Sequence, residues 1–405
     1  MSPQLHRFGR WAAAGTDPAG RFAAWVEGHA PALRPRVVRV AGPWGDGLRL
    51  GLHPLCPGVS IGFGPAELVE AQARVLPVGP GYLVAVGRLL RAAGEALGIE
   101  WDEDPRVAPD AATEAAAAGL QSQARAALDH LVAGAPAAVL LPPHERFRAD
   151  GLVATPLGPR DMGWLAAAAT GALPLHEAFP WPELGITARG QRGRALALLW
   201  TAVRWRPPID DAERAVLQEA DALLHAAWSA EPNLALPWSE WSELRGLLGQ
   251  DDEISAEVQR RGDAMVSWPP VGYRRHPVEV HVGDGFWVDL PGSIGAPERS
   301  ARSWAAADQG RRVEITLRGL GDSLHPSPSL HPAGAAEPLA QEAGPRRGTA
   351  TRIALPGGGG VLRGRVEGTD SALSFTARWD SSPDRAWAEH AWRSIRQDAA
   401  RPAPE

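Results

Sequence analysis

Several short stretches of the chain carry residue types that could do chemistry. "GVSIG", residues 58–62, matches the G-x-S-x-G pattern that presents a serine nucleophile on a strand-to-helix turn. Ser60 is the candidate it names. Its surroundings are those of a strand, because Val59, Ile61 and Phe63 alternate with it and no helix pattern follows. A strand residue is expected there rather than a catalyst. His53 and Cys56, in "HPLC", have the types of a base–thiol pair, but a lone buried cysteine is ordinarily inert. "HEAFPWPE", residues 176–183, offers His176, Glu177 and Glu183 around Trp181. It lacks the H-E-x-x-H spacing that puts two histidines on one helix face, so it reads as a proline-rich loop with an aromatic plug. His276 and His281 lie in or beside a strand, and His325 and His331 in a proline-rich loop without neighbouring carboxylates. Such histidines are expected to be solvated rather than to ligate a metal. The Gly357–Gly360 run is followed by a strand pattern, so it is a hairpin turn and not a phosphate cradle. The expectation is no catalytic residue, no metal site and no cofactor.

"WTAVRWRPPIDDAE", residues 200–213, is loaded differently. Leu196, Leu199, Trp200 and Val203 fall on one face of a helix, which Arg206-Pro207-Pro208 should end. Asp210 followed by Glu213 is a capping-box pattern for the next helix, and Asp210 and Asp211 suit the positive end of its dipole. Trp205 sits half a turn from the apolar stripe, between Arg204 and Arg206. Either the helix is buried on two sides or Trp205 is a partly exposed anchor, and the first is the favoured reading. Arg204, Trp205 and Arg206, with Trp181, are the candidate binding residues.

Composition narrows the function further. All 41 basic side chains are arginine, and there is no lysine. A Walker-type phosphate loop, a protein kinase and a Schiff-base enzyme each need one, so none of these can be built here. Seventeen tryptophans against two tyrosines point to indole-anchored cores. One cysteine excludes an internal disulfide and a cysteine-rich metal site. The net charge is −6, carried as −7 over residues 1–270 and +1 over residues 271–405. Neither part has the basic footprint of a nucleic-acid binder. No apolar run approaches the ~18 residues of a membrane span, and no signal-peptide pattern opens the chain. A soluble, cytoplasmic bacterial protein without membrane insertion is expected.

These residues must be held by an α+β chain of two parts. Residues 1–262 read as a mainly helical region with a few strands, and 263–272, "DAMVSWPPVG", as a linker. The strands expected are 34–40 and 47–53 as a hairpin, the "GVSIG" segment, and 137–143. Helices are expected over 82–99 and 112–134, in the "WTAVRW" region, and from "PWSEWSELRGLL" with Ser239 as its cap. An extended loop over 150–161 should cap a helix starting near Asp161. Residues 273–400 change to strand alternation: "PVEVHV", "FWVDLP", "ARSWAAA", "RRVEITL", "TATRIALP", "VLRGRVEG" and "SALSFTARW", then an amphipathic helix with Trp387, Ala391 and Ile395. A mobile loop is expected at 323–345.

That order, with "FWVDLPGSIG" (286–295), "VEITLRG" (313–319), "ALSFTARW" (372–379) and "WAEHAWRSIR" (387–396), resembles the PsbP-like α/β-sandwich superfamily, which includes DcrB-type proteins and Eag-type secretion-effector chaperones. The resemblance covers about a third of the chain and implies an antiparallel sheet closed by a helix, in a binding or chaperone module. The function expected is a non-enzymatic protein-binding module, such as a secretion-effector chaperone, an adaptor or an immunity-type protein. The alternative is a hydrolase or other enzyme with its site in residues 1–262.

Overall fold

A computed structural model of the chain describes residues 4–11, 17–29, 36–42, 45–53, 58–74, 80–102, 145–146, 152–155, 158–161, 163–164, 167, 170, 180–181, 187–264, 272–295, 297–300, 302–319, 336–340 and 348–397. The chain divides into two compact units. The first is Met1–Pro136, Gly151–Ala202 and Ala215–Val271; the second is Ala137–Asp150, Val203–Arg214 and Gly272–Glu405. Both contain helices and antiparallel sheet, so the chain is α+β.

The first unit opens with β1 (Gln4–Arg10), α1 (Pro18–His29), β2 (Arg36–Gly42), β3 (Gly45–Gly51), β4 (Val59–Phe63), β5 (Leu68–Arg74), α2 (Pro80–Leu97) and β6 (Glu100–Trp101). The strands make one antiparallel sheet in the order β2-β3-β4-β5-β1-β6. One sheet face, through Leu48, Leu50, Ile61, Val69 and Ala71, shares a core with Phe22 and Val26 of α1 and Val86 and Leu90 of α2. A six-stranded sheet thus stands where a few strands were expected in a mainly helical region. The β5 sequence, "LVEAQAR", is rich in helix formers, yet Val69, Ala71 and Ala73 are buried while Glu70 and Gln72 alternate with them. Burial of alternate side chains under two helices overrides the alanine propensity. The hairpin and the 82–99 helix stand where the sequence puts them, and Ser60 is a β4 residue between buried Val59 and Ile61.

Next in the chain come β7 (Glu145–Arg146), which belongs to the second unit, and then β8 (Leu152–Thr155) and β9 (Gly158–Asp161). The last two pair antiparallel, so a hairpin replaces the extended loop expected over 150–161. Its Val153 and Thr155 are β-branched, which suits a strand better than a helix cap.

The remaining helices are α3 (Ala188–Thr201), α4 (Asp211–Ala230), α5 (Trp238–Leu248) and α6 (Glu253–Asp263). Helix α3 is buried on more than one side, at Arg194, Ala195, Ala197, Leu198, Leu199 and Trp200. It ends at Thr201, not at Arg206-Pro207-Pro208, and this removes Trp205 from the helix. Helix α5 starts two residues earlier than the expected Ser239 cap implies, after Pro237. Ser239 caps nothing there; its hydroxyl donates to the Gly262 carbonyl at the end of α6, 3.2 Å away. No helix among the described residues is long and apolar enough to cross a membrane.

The second unit contains β10 (Pro277–Gly283), β11 (Phe286–Pro291), β12 (Glu298–Arg299), β13 (Ser303–Asp308), β14 (Arg311–Gly319), β15 (Ala336–Ala340), β16 (Gly348–Ala354), β17 (Gly360–Glu367), β18 (Ser371–Trp379), α7 (Arg385–Ser394) and β19 (Arg396–Gln397). Seven strands form an antiparallel sheet in the order β12-β13-β14-β18-β17-β16-β15, and four more form β19-β11-β10-β7. The hairpins expected from "GDG", "DQG" and "GTD" are all present. Residues Ala336–Ala340, inside the 323–345 stretch, are the edge strand β15 paired with β16. Helix α7 buries Ala388, Ala391 and Trp392, with Trp392 tilted against Phe375 at 6.1 Å between centroids. The Asp289 backbone N–H donates to Ser394 Oγ at 2.8 Å and fastens α7 to β11.

The expected helix over 112–134 and strand over 137–143, and the candidates Cys56, His176, Glu177, Glu183, His325 and His331, lie outside the described residues.

Candidate functional site

The four residues named from sequence part company in the structure. Trp181 is 1 % exposed in the core of the first unit, edge-on to Tyr82 at 5.8 Å, and its carbonyl accepts from the Gly81 N–H at 3.1 Å. Arg204, Trp205 and Arg206 belong to the Val203–Arg214 segment of the second unit. Arg206 is a structural clamp. Its Nε donates to the Ser293 carbonyl at 2.8 Å, and its two terminal nitrogens hold Glu213 in a fork at 2.7 and 2.8 Å. Glu213 in turn accepts from the Ile209 N–H, while Asp210 Oδ1 accepts from the Glu213 N–H at 2.7 Å. The cap read in the sequence is therefore real, and Arg206 ties it to the loop after β11.

Arg204 and Trp205 line a cleft of about 600 Å³ inside the second unit. Its floor is the end of β11 and the following turn, Leu290 to Ser293. One wall is the turn Arg274-Arg275-His276-Pro277 ahead of β10, and the other is Trp387 and His390 of α7, with Arg311 from the start of β14. Gly292 is needed for that floor, since a Cβ there would lie 2.4–2.6 Å from the Arg274 and His276 backbone. The turn is closed by the Gly292 N–H donating to the His276 carbonyl at 3.2 Å and the Ile294 N–H to the Pro291 carbonyl at 3.0 Å.

Trp205 is the most unusual residue of the site. Its backbone is left-handed, φ 55°, a region that bulky L-residues rarely adopt. The Arg275 guanidinium lies 3.6 Å from the ring centroid, and Gly272 approaches the pyrrole edge of the indole. A Cβ on Gly272 would come within 2.2 Å of the indole nitrogen, and Gly272 itself has φ +125°, so only glycine serves there. The strain of a left-handed tryptophan, about 1–3 kcal/mol, persists only where the surroundings over-determine it. Trp205 is half-buried rather than a core residue, and its Nε1 has no hydrogen-bond partner among the described residues. The same holds for Nε1 of Trp387.

The electrostatics are one-sided. Four arginines and two histidines line the cleft, and among the described residues no aspartate or glutamate does. Arg274 and Arg311 are held by acidic residues outside the lining. Buried Arg274 is held by Glu145 at 2.8 and 3.0 Å, and Arg311 by Asp308 and by Ser293 Oγ at 2.9 Å. His390 Nε2 is 3.6 Å from Asp289 Oδ2. Arg204 donates to the Gly292 carbonyl at 3.5 Å, and the Arg275 guanidinium lies over the Trp205 ring.

Arg275, Trp387 and His390 were not singled out in the sequence. Trp387 reads there as part of the apolar stripe of α7, but the buried face is Ala388, Ala391 and Trp392, and Trp387 lies on its flank. "YRRHP", residues 273–277, was the available signal: adjacent cations in a turn that proline keeps from continuing the helix.

No protein-family model matches the chain, and no curated protein matches it.

Proposed function

We propose that this chain is a non-enzymatic, cytoplasmic protein-binding module whose second unit is a PsbP-like sandwich and whose partner engages the Arg204/Trp205/Arg275/Trp387 cleft. The observation that carries the reading is the stack of Arg275 on a left-handed Trp205 at the cleft wall. Backbone strain of this sort concentrates at ligand clamps, and tryptophan and arginine dominate interface hot spots. The cleft volume is in the range of ligand pockets, with an apolar floor of Leu290 and Pro291 and convergent polar groups above it. The "DLPGSIG" stretch that carries the family resemblance supplies that floor, which favours a chaperone-, adaptor- or immunity-type role.

The test is affinity purification from the native host, run in parallel with the wild-type chain and with an Arg275→Gln/Trp387→Ala variant of unchanged circular dichroism. A protein recovered stoichiometrically with the wild type and lost with the variant supports the reading. Recovery of the same proteins by both places the interaction elsewhere and ends it.

A further inference from the structure

We infer that the free edge of β2, in the first unit, is an interface between two copies of this chain, each adding its β2 antiparallel to the other's. Strand β2 (Arg36–Gly42) ends the six-stranded sheet, and among the described residues no strand lies on its other side. It pairs with β3 residue for residue, from Arg36↔Gly51 to Gly42↔Gly45, with neither bulge nor proline. The other edges of the three larger sheets are blunted. Strands β6, β7, β12 and β19 are two residues long, and β15 carries Pro338 at its centre. Short or proline-bearing edges resist a further strand, whereas a regular edge of seven residues accepts one. It is also open: Val38 is 42 % exposed, and Arg36, Arg39 and Ala41 are exposed beside it.

The backbone shows which groups are on offer. The Arg36 and Val40 carbonyl oxygens face β3, lying 3.7 and 3.4 Å from where Cβ atoms on Gly51 and Gly47 would be. Residues of an antiparallel strand alternate in this respect, so Val37, Arg39 and Ala41 turn their N–H and C=O to the free side. The side chains say what strand fits there. Residues 37–41 read Val-Val-Arg-Val-Ala, apolar on both sides of Arg39. Antiparallel pairing about a two-fold axis at Arg39 sets Val38 opposite the partner's Val40 and Val37 opposite the partner's Ala41, and the reverse on the other side of the axis. All three outward residues then exchange hydrogen bonds reciprocally, and the apolar cross-strand pairs add to them. The two arginines that meet at the axis each bring a counter-ion, since Arg39 Nη2 is 3.1 Å from Asp17 Oδ2. A mirrored pattern of this kind is what a two-fold, self-complementary interface requires.

The experiment uses the full chain, weighed by light scattering during size exclusion and by sedimentation equilibrium. The wild type should show twice the mass of one chain at about 50 µM and dissociate on dilution, as a self-association must. Ala41→Pro removes an outward N–H and spares the ladder with β3. Val38→Lys puts a charge against the partner's Val40 from a position already exposed. Each should weaken the dimer by about tenfold or more, with the circular dichroism of the diluted chain unchanged. The register is tested separately in a Cys56→Ser background. Arg39→Cys should cross-link on mild oxidation, because directly opposed residues lie about 5.5 Å apart at Cα, within disulfide reach. Ala41→Cys, whose two copies face Val37 instead of each other, should not. A wild type that stays monomeric at about 50 µM overturns the inference. So does a dimer that either Ala41→Pro or Val38→Lys leaves intact, or equal cross-linking of the two cysteine variants.

Discussion

Tryptophan and arginine meet in both units, to opposite ends. In the first unit Trp238 stacks on Trp241 at 5.5 Å, Trp228 packs edge-on against both, and the Arg261 guanidinium lies 4.7 and 5.2 Å from the Trp238 and Trp228 centroids. Trp241 Nε1 donates to Asp221 at 2.7 Å, and Arg245 spans Asp221, Asp252 and Ser255. In the second unit Trp205 and Trp387 leave Nε1 without a hydrogen bond among the described residues, Trp205 has a left-handed backbone, and the rings border a cleft. The same residue chemistry is thus a buried packing element in one place and the border of a cleft in the other. Exposure and the backbone conformation of Trp205, rather than composition, separate the two.

The largest effect should come from the buried cluster. Trp241→Ala is expected to cost about 3–5 kcal/mol, the usual range for deleting a buried large aromatic, and it removes one of the two donors on Asp221 Oδ1. Denaturant midpoints measure it. A loss as small as that of a surface substitution, about 0.5 kcal/mol, would erase the distinction between the two clusters.

Acid should strike the first unit at His53. Burial, with the Arg194 charge second, holds its pKa well below the ordinary 6.5. The folded state therefore keeps His53 neutral where the unfolded chain takes up a proton. Stability linked to this group is full above pH 6.5 and is lost as pH falls towards the folded value, by up to about 1.4 kcal/mol per pH unit for one proton. Melting curves between pH 7.5 and 5 should show a steeper decline for the wild type than for His53→Gln. Parallel declines would mean that His53 is protonated in the folded chain.

At the cleft, Trp205→Gly sharpens the contrast with Trp241→Ala. Glycine relieves the positive φ, which offsets the lost ring contacts, so stability should change by no more than about 1 kcal/mol. Partner affinity should drop by about 2 kcal/mol, as for an interface hot spot. A destabilisation like that of Trp241→Ala would make Trp205 a core residue after all.

The sequence made the second unit legible because its strands alternate cleanly between glycine-containing turns, as in Val313, Ile315 and Leu317 of β14. The first unit hid its sheet, since alanines 71 and 73 of β5 carry the buried positions and alanine is the strongest helix former. Half the site was visible as "RWR". The rest was not, because Trp205 turns away from its helix through a left-handed residue, and Arg275 and Trp387 reach the same cleft from positions 70 and 182 residues along the chain. No local pattern encodes such a meeting.

The smallest effect tests whether the scaffold of the cleft can be weakened without touching its chemistry. Asp210 Oδ1 accepts from the Glu213 N–H at the start of α4, one of the donors a helix terminus leaves unpaired. Asp210→Ala should cost about 1 kcal/mol, and Asp210→Asn a smaller fraction, because asparagine caps nearly as well. Arg206 remains clamped to Glu213 and to the Ser293 carbonyl in either variant, so the segment bearing Arg204 and Trp205 keeps its place on the floor turn. Both variants should therefore recover the partner as the wild type does while melting earlier. Loss of partner recovery in Asp210→Ala, at temperatures where the chain is still folded, would show that the cap and not the Arg206 clamp positions the cleft wall.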